Sequence, residues 1–181
     1  VKGKKTDKVK TLSKGNQQKV QLIATLIHEP QLIILDEPFS GLDPVNAELL
    51  KEGILSLKKQ GSCVIFSSHN MEHVEKICDH LVMLNNGKSV LNGVVHEIRE
   101  SFGRTKVFLE SPITREEIAL LDGVTDVRER EDQTLEITLS NPEVGKEIFR
   151  LATADGYIPM FNQQPPTLEE IFKQKVGEAN V

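Results

Sequence analysis

Two short apolar runs early in the chain are each followed by polar residues. Leu32–Leu35 precedes Asp36, and Cys63–Phe66 precedes Ser67. Short continuous apolar runs are typical of strands in a parallel sheet, because such strands are covered on both faces. The pattern therefore predicts two buried parallel strands, with Cys63 as a small core residue.

The segment between these runs has the spacing of a helix. Residues 45–60 carry apolar side chains on one face, Asp43 offers an N-cap, Pro44 takes the first helical position and Gly61 ends the segment. An earlier amphipathic segment, residues 16–28, precedes the first strand. The order strand, helix, strand is that of a parallel crossover, which predicts an α/β fold class.

The pattern changes in the second half of the chain. An Asn-Gly pair predicts a hairpin between residues 81–84 and 89–91, and a helix is expected at 94–101. The elements expected beyond it are strands at 106–110, 124–130, 134–139 and 157–161, helices at 115–121 and 142–154, and a final helix from Thr167. Their order resembles a ferredoxin-like split unit. We therefore expect one domain over residues 1–101 and a small α+β domain over 102–181.

Composition and charge exclude several classes of protein. The 181 residues hold 22 Lys and Arg against 27 Asp and Glu, and the second half is the acidic one, which argues against a nucleic-acid partner there. Cys63 and Cys78 form no CxxC unit, so a disulfide framework or four-cysteine zinc site is not expected. No apolar run approaches the length of a membrane-spanning helix. We expect a cytoplasmic protein.

The first candidate for chemistry is the pair of adjacent acids after the first strand. Asp36 and Glu37 are expected at the carboxyl edge of a parallel sheet, where ligands of open α/β sheets bind. Phosphoryl transfer uses one carboxylate to hold hydrated Mg²⁺ and another to orient or deprotonate water. The alternative is that Asp-Glu-Pro merely ends a strand, because acids are common in loops.

The second candidate is a small polar segment before the first amphipathic helix. It contains Ser13, Lys14, Gly15 and Asn16. A hydroxyl, a glycine and the exposed N–H groups of a helix start can together hold a phosphate. Ser13 would serve equally well as an ordinary N-cap.

The third candidate is His69, expected just after the second strand. A histidine at that edge can hydrogen-bond a phosphate oxygen and link it to a neighbouring acid. Two alternatives exist for it. One is a structural histidine, and the other is a zinc site, because His69, Glu72 and His73 match the H-x-x-E-H pattern. The zinc hypothesis is the weaker, because His69 is expected after a strand and not on a helix.

The order and spacing of these segments resemble the nucleotide-binding domain of ABC ATPases over residues 11–91. Residues 12–16 resemble the family signature, normally Leu-Ser-Gly-Gly-Gln, with Lys14 and Asn16 as departures from it. Residues 32–37 resemble the Walker B strand with its catalytic glutamate, residues 40–43 resemble the D-loop, and His69 resembles the switch histidine.

The resemblance implies a role for each candidate residue. Asp36 would help hold Mg²⁺ through water, Glu37 would polarise the attacking water, and His69 would contact the γ-phosphate of ATP. The remaining candidates would lie at the interface of a head-to-tail dimer and contact the nucleotide of the opposite subunit; they are Ser13, Lys14, Gly15, Asn16 and Asp43.

One motif of the family does not occur in these 181 residues. There is no G-x-x-x-x-G-K-[ST], and residues 3–6 match only its tail. We therefore expect a partial P-loop NTPase core of the ABC type, lacking the Walker A half, within the C-terminal portion of a longer protein. Such a chain should bind MgATP weakly by itself.

The resemblance implies the ATP-hydrolysing subunit of an ABC transporter. Residues 104–172 also resemble the C-terminal accessory domain of some bacterial export ATPases, which favours an exporter. The partners implied are a second ATPase subunit and transmembrane permease subunits, which would place the protein on the inner face of the membrane, with no nucleic acid. Two alternatives stay open, namely an ABC ATPase not tied to transport and a non-catalytic interaction or regulatory module.

Overall fold

A computed structural model describes residues 6, 8–12 and 14–179 of the chain, without the side chains of residues 14, 18, 178 and 179. The chain divides into two compact units, Val1–Ile77 and Cys78–Val181. Within the described part of the chain, none of the helices combines the length and apolar character needed to cross a membrane.

The first unit is built on two parallel strands with helices around them. After a 3-10 turn at Val9–Thr11, its elements are α1 (Lys14–Leu26), β1 (Leu32–Leu35), α2 (Pro44–Lys59), β2 (Cys63–Phe66) and α3 (Met71–Ile77). β1 and β2 pair in parallel register, from Leu32 opposite Cys63 to Leu35 opposite Phe66. The predicted parallel crossover is confirmed.

The start and end of α2 follow from its sequence. Asp43 is the N-cap, Pro44 occupies the first turn, and Gly61, at φ 98°, follows the helix where a left-handed residue is needed. The helix contributes apolar side chains to a core that also contains residues of β1 and α3. The buried members of this core are Ile33, Leu35, Phe39, Leu50, Ile54, Leu57 and Ile77.

The expectation that both strands are buried on both faces is wrong for the described residues. One face of the pair contributes to the core, but the other exposes Leu32, Ile34 and Ile65 to between 54% and 69%. Cys63 lies on that second face and is exposed, not a core residue as expected. The apolar composition of a strand indicates that the strand can be buried, but it does not indicate which elements cover each face. The exposure of this face therefore could not be predicted from composition alone.

The first unit also differs from the prediction at two helices. α1 begins at Lys14, two residues before the expected start. The Gln17 side-chain amide donates to the Leu12 carbonyl at 2.7 Å, which ties the preceding segment to the first turn. α3 was not predicted; its sequence signal is Asn70, whose side-chain oxygen accepts from the backbone N–H of His73 at 3.2 Å, as a helix-capping residue does.

The second unit begins with an antiparallel hairpin. It joins β3 (His80–Asn85) to β4 (Lys88–Val94) through Asn86 and Gly87, which have φ values of 49° and 74°. Two positive φ values match a type I′ turn, which Asn-Gly favours. The predicted hairpin is confirmed, and α4 (Val95–Ser101) follows it.

The rest of the second unit is a four-stranded antiparallel sheet with helices between its strands. The elements are β5 (Lys106–Glu110), α5 (Arg115–Ala119), β6 (Val124–Glu129), β7 (Leu135–Leu139), α6 (Val144–Ala152), β8 (Met160–Gln164) and α7 (Leu168–Ala179). The strand order β6-β7-β5-β8 is that of the predicted ferredoxin-like unit. Its core includes five side chains with no exposed surface or almost none, namely Val107, Leu109, Ile118, Ile137 and Ile148.

β8 lies three residues later than predicted. The expected start, Tyr157, is 90% exposed, and the strand begins at Met160 directly after Pro159. Proline has no N–H to donate to a strand ladder, so it favours a position at or before the start of a strand. The prediction gave too little weight to this proline.

Candidate functional site

The carboxyl ends of β1 and β2 bring three of the predicted site residues together. Because the strands are parallel, Asp36 and Glu37 follow β1 at the same edge at which His69 follows β2. The backbone N–H of Ser67 donates to the Leu35 carbonyl at 3.0 Å, so the two chains stay paired beyond the last strand residues.

Glu37 and His69 are in direct contact. Oε1 of Glu37 lies 2.9 Å from Nδ1 of His69 and accepts from the His69 backbone N–H at 3.0 Å. The histidine side chain is 82% exposed and that of the glutamate 37%. The contact therefore orients the carboxylate and leaves the ring accessible to a ligand.

This contact fixes the role of each ring nitrogen of His69. A carboxylate can only accept hydrogen bonds, so a hydrogen bond at 2.9 Å requires the proton on Nδ1. In the neutral ring Nε2 then carries no proton and can only accept. Donation from Nε2 to an anion therefore requires the doubly protonated ring.

Ser67 connects the two adjacent acids, and sequence reasoning did not single it out. Its Oγ donates to Oδ1 of Asp36 at 2.5 Å and accepts from the Glu37 backbone N–H at 2.9 Å. Glu37 has a positive φ of 44°. A signal was present in the strand register: if Leu35 pairs with Phe66, the next residues, Asp36 and Ser67, are also neighbours.

Asp43 has a structural role at the start of α2. Its Oδ1 accepts from the Asn46 backbone N–H at 3.0 Å, and its Oδ2 contacts the side-chain amide of Asn46. These hydrogen bonds hold the pKa of Asp43 below its ordinary value, and the bond from the Asn46 backbone N–H has the larger effect. The carboxylate is therefore ionised and capping the helix; its interface role stays a prediction.

The signature-like segment is described only in part. Ser13 lies outside the described residues, and of Lys14 only the backbone is described. Gly15 and Asn16 lie in the first turn of α1, not in a loop before it, and a Cβ added to Gly15 would meet nothing within 4 Å. Their contact with a phosphate stays a prediction.

Two side chains of the H-x-x-E-H pattern are engaged in other contacts. Glu72 accepts from Lys76 at 2.6 Å, and this hydrogen bond lowers the pKa of Glu72. The ring of His73 packs on that of Phe39 with centroids 4.2 Å apart. Among the described residues, no group of three or more acidic, histidine or cysteine side chains is placed to hold a metal. These contacts give the zinc hypothesis no support.

The donor set fits hydrated Mg²⁺ better than a tightly ligated metal. Asp36 is exposed, and one of its oxygens is held by Ser67. Mg²⁺ commonly keeps several waters and binds through one or two carboxylates and the phosphates of its substrate. A single oriented carboxylate at a sheet edge is sufficient for that kind of binding.

Comparison with known proteins identifies the family. An uncharacterized ABC transporter ATP-binding protein of Alkalihalophilus pseudofirmus is 45% identical over 174 residues, which cover 96% of this chain and 65% of that protein. The ABC transporter ATP-binding protein YhaQ of Bacillus subtilis, also uncharacterized, is 45% identical over 170 residues, covering 94% of this chain and 57% of that protein. This chain belongs to the ABC transporter ATP-binding proteins.

Two family models match separate parts of this ABC transporter ATP-binding chain. The model described as "ATP-binding protein DrrA1-3-like, C-terminal domain" matches residues 93–176. A second model, described as "AAA domain, putative AbiEii toxin, Type IV TA system", matches residues 6–75. The predicted family and the fold class, an α/β partial P-loop NTPase of the ABC type with a small α+β domain, are confirmed.

A third relative of this ABC transporter ATP-binding chain carries a more specific name. The Nod factor export ATP-binding protein I of Rhizobium etli is 33% identical over 171 residues, covering 94% of this chain and 53% of that protein. The chain spans between about half and two thirds of the length of these three relatives. The matches therefore cover only a part of each of these three proteins.

Proposed function

We propose that this chain supplies the water-activating edge of the ATP hydrolysis site in the ATPase subunit of an ABC exporter. The observation that carries the proposal is the contact between Glu37 and His69 at the carboxyl edge of the parallel strands. It joins a carboxylate and an imidazole in a chain whose relatives are named for ATP binding, and the Nod factor relative is also named for export.

Glu37 is the residue to which we assign water activation. His69 holds Oε1 from two sides, through its backbone N–H and its ring, so the carboxylate has a fixed orientation. The other oxygen, Oε2, is the one we assign to the attacking water, from which it accepts a proton. Fixed placement of such a base lowers the barrier because the reacting groups need not be oriented at the moment of reaction.

Asp36 and His69 would act on the phosphate side of this site. Mg²⁺, when bound, neutralises charge that develops on the transferred phosphoryl group. Asp36 would hold one of its waters through Oδ2, because Ser67 occupies Oδ1. Nε2 of His69, with the ring doubly protonated, would donate to the γ-phosphate while Nδ1 stays on Glu37.

The complete site would need a second subunit. We propose a head-to-tail dimer in which Ser13, Lys14, Gly15 and Asn16 face the nucleotide of the opposite subunit and Asp43 lies at the interface. Transmembrane permease subunits would bind this dimer at the inner face of the membrane. The support is the family, whose members are named as transporter ATP-binding proteins.

We also propose that these 181 residues do not hydrolyse ATP by themselves. They contain a carboxylate for water and one for metal, but no G-x-x-x-x-G-K-[ST] loop to hold the phosphates. We expect equilibrium titration to show MgATP binding at least about a hundredfold weaker for this chain than for a complete subunit, because phosphate positioning supplies most of the interaction.

The titration has a clear contrary result. Tight, Mg²⁺-dependent binding by the 181-residue chain would show that its phosphate site lies elsewhere in these residues. A Glu37→Gln variant of the same chain is the matched control, because a water-activating residue should affect nucleotide binding little.

A further inference from the structure

Ser67 occupies a position that the predicted mechanism does not use. It follows β2 directly and lies beside the Asp36–Glu37 pair, with its backbone N–H on the Leu35 carbonyl at 3.0 Å. Its hydroxyl bonds the side chain of one acid and the backbone of the next.

The two bonds of Ser67 Oγ use the hydroxyl as both donor and acceptor. The O–H donates to Oδ1 of Asp36 at 2.5 Å, and a lone pair accepts from the N–H of Glu37 at 2.9 Å. One bond orients the Asp36 carboxylate, and the other fixes the peptide bond between the two acids. Neither an aliphatic side chain nor a glycine could replace both bonds.

The backbone of Glu37 needs such support. Its φ of 44° is uncommon for a residue with a side chain and is further disfavoured before Pro38. The Glu37 carbonyl accepts from the Ser40 N–H at 3.0 Å, so the backbone is held on both sides, by Ser67 and by the following turn. This conformation lets two consecutive residues present their carboxylates to different partners.

We infer that Ser67 is a positioning residue of the hydrolysis site: it holds the Asp36–Glu37 peptide so that Asp36 serves the metal while Glu37 remains on His69. This inference rests on the proposed function. It adds that loss of the Ser67 hydroxyl slows the chemical step through Glu37 and Asp36, because both bonds of this hydroxyl go to those two residues.

The test compares Ser67→Thr with Ser67→Val, which have nearly the same shape and differ in the hydroxyl. Ser67 is exposed, so both have room for the added methyl groups. Ser62→Ala is the matched control, because the Ser62 hydroxyl also bridges the β1 and β2 sides, on the Pro30 carbonyl at 2.7 Å, but at the opposite end of the strands.

The first measurement needs no nucleotide. Amide hydrogen exchange of Glu37, followed by NMR in the 181-residue chain, should accelerate about tenfold in Ser67→Val, because its N–H loses its acceptor. Exchange should stay within about threefold of the original chain in Ser67→Thr and Ser62→Ala. Equal exchange in the Thr and Val variants would overturn the inference.

The second measurement is ATP turnover by the complete subunit. Ser67→Val should lower kcat about ten- to a hundredfold with KM changed less than about threefold, and Ser67→Thr should restore kcat. Full kcat in Ser67→Val, beside an inactive Glu37→Gln, would refute the role of Ser67 and leave the proposed function intact. Full turnover in Glu37→Gln would instead overturn the proposed function and the catalytic part of this inference.

Discussion

Replacing Glu37 with glutamine is expected to lower ATP turnover by the complete subunit at least about a hundredfold, because an amide cannot accept a proton from water. The change should not disturb the site. Glutamine keeps a side-chain oxygen that can accept from the N–H of His69, as Oε1 of Glu37 does at 3.0 Å. Steady-state ATPase kinetics would show a fall in kcat, with MgATP affinity within about threefold of the original protein.

A matched control for this substitution exists in the same unit. Glu52 is exposed on α2, outside the cluster formed by Asp36, Glu37 and His69, so Glu52→Gln should leave turnover unchanged. Unaltered turnover in Glu37→Gln would show that Glu37 does not activate water. That result would favour the hypothesis of a non-catalytic interaction module.

A second large effect is expected for Lys106, which lies between two carboxylates in the second unit. Its Nζ is 2.6 Å from Oε1 of Glu170 and 3.3 Å from Oε1 of Glu136, and the lysine side chain is only 13% exposed. Lys106→Met keeps the apolar stem but leaves the two acids without their cation. We expect the free energy of unfolding of this unit to fall by about 2–3 kcal/mol, less than for a fully buried pair because the acids are partly exposed.

The pH dependence of this effect follows from the pKa of Glu170. Burial raises that pKa, but hydrogen bonds from Lys106 and Thr167 outweigh burial, so it lies below its ordinary value of 4.5. Glu170 therefore stabilises the fold above pH 4.5, and this contribution is lost as the pH falls through the lowered pKa. The part of this contribution that Lys106 supplies is missing in Lys106→Met, so the difference between the two proteins should be largest above pH 4.5 and should narrow as the pH falls below that value.

Urea titrations followed by amide NMR signals of β5 and β7 would measure this difference. Lys173→Met is the matched control, because Lys173 pairs with Glu169 at 2.6 Å with both side chains more than 60% exposed. Exposed pairs contribute about 0–1 kcal/mol. Equal losses for the two substitutions would show that the cluster around Lys106 does not depend on burial.

The meeting of Asp36, Glu37 and His69 could be predicted because parallel strands bring their carboxyl ends to one edge. Each residue follows a recognisable apolar run, so local patterns and one topological rule were sufficient. The boundaries of α2 were predictable for a similar reason, since Asp43 and Gly61 act on their immediate neighbours.

Other features depend on information that local patterns do not contain. Ser67 became visible only with the strand register, and the positive φ of Glu37 opposes the preference of a residue before proline. The exposed face of β1 and β2 was not predicted, because apolar residues show only that a strand face can be buried and not that it is buried. Whether a given face is covered depends on the elements present around it.

The backbone at Glu37 has a consequence for protein engineering. Glycine adopts a φ of 44° without steric cost, whereas a side chain there costs roughly 1–2 kcal/mol, of which the larger entropy loss of glycine on folding offsets roughly half. A variant selected only for resistance to heat would gain from glycine at this position and would lose the carboxylate. Thermostability and turnover therefore place opposite demands on position 37. Substitutions that raise thermostability should be sought at sites remote from this edge.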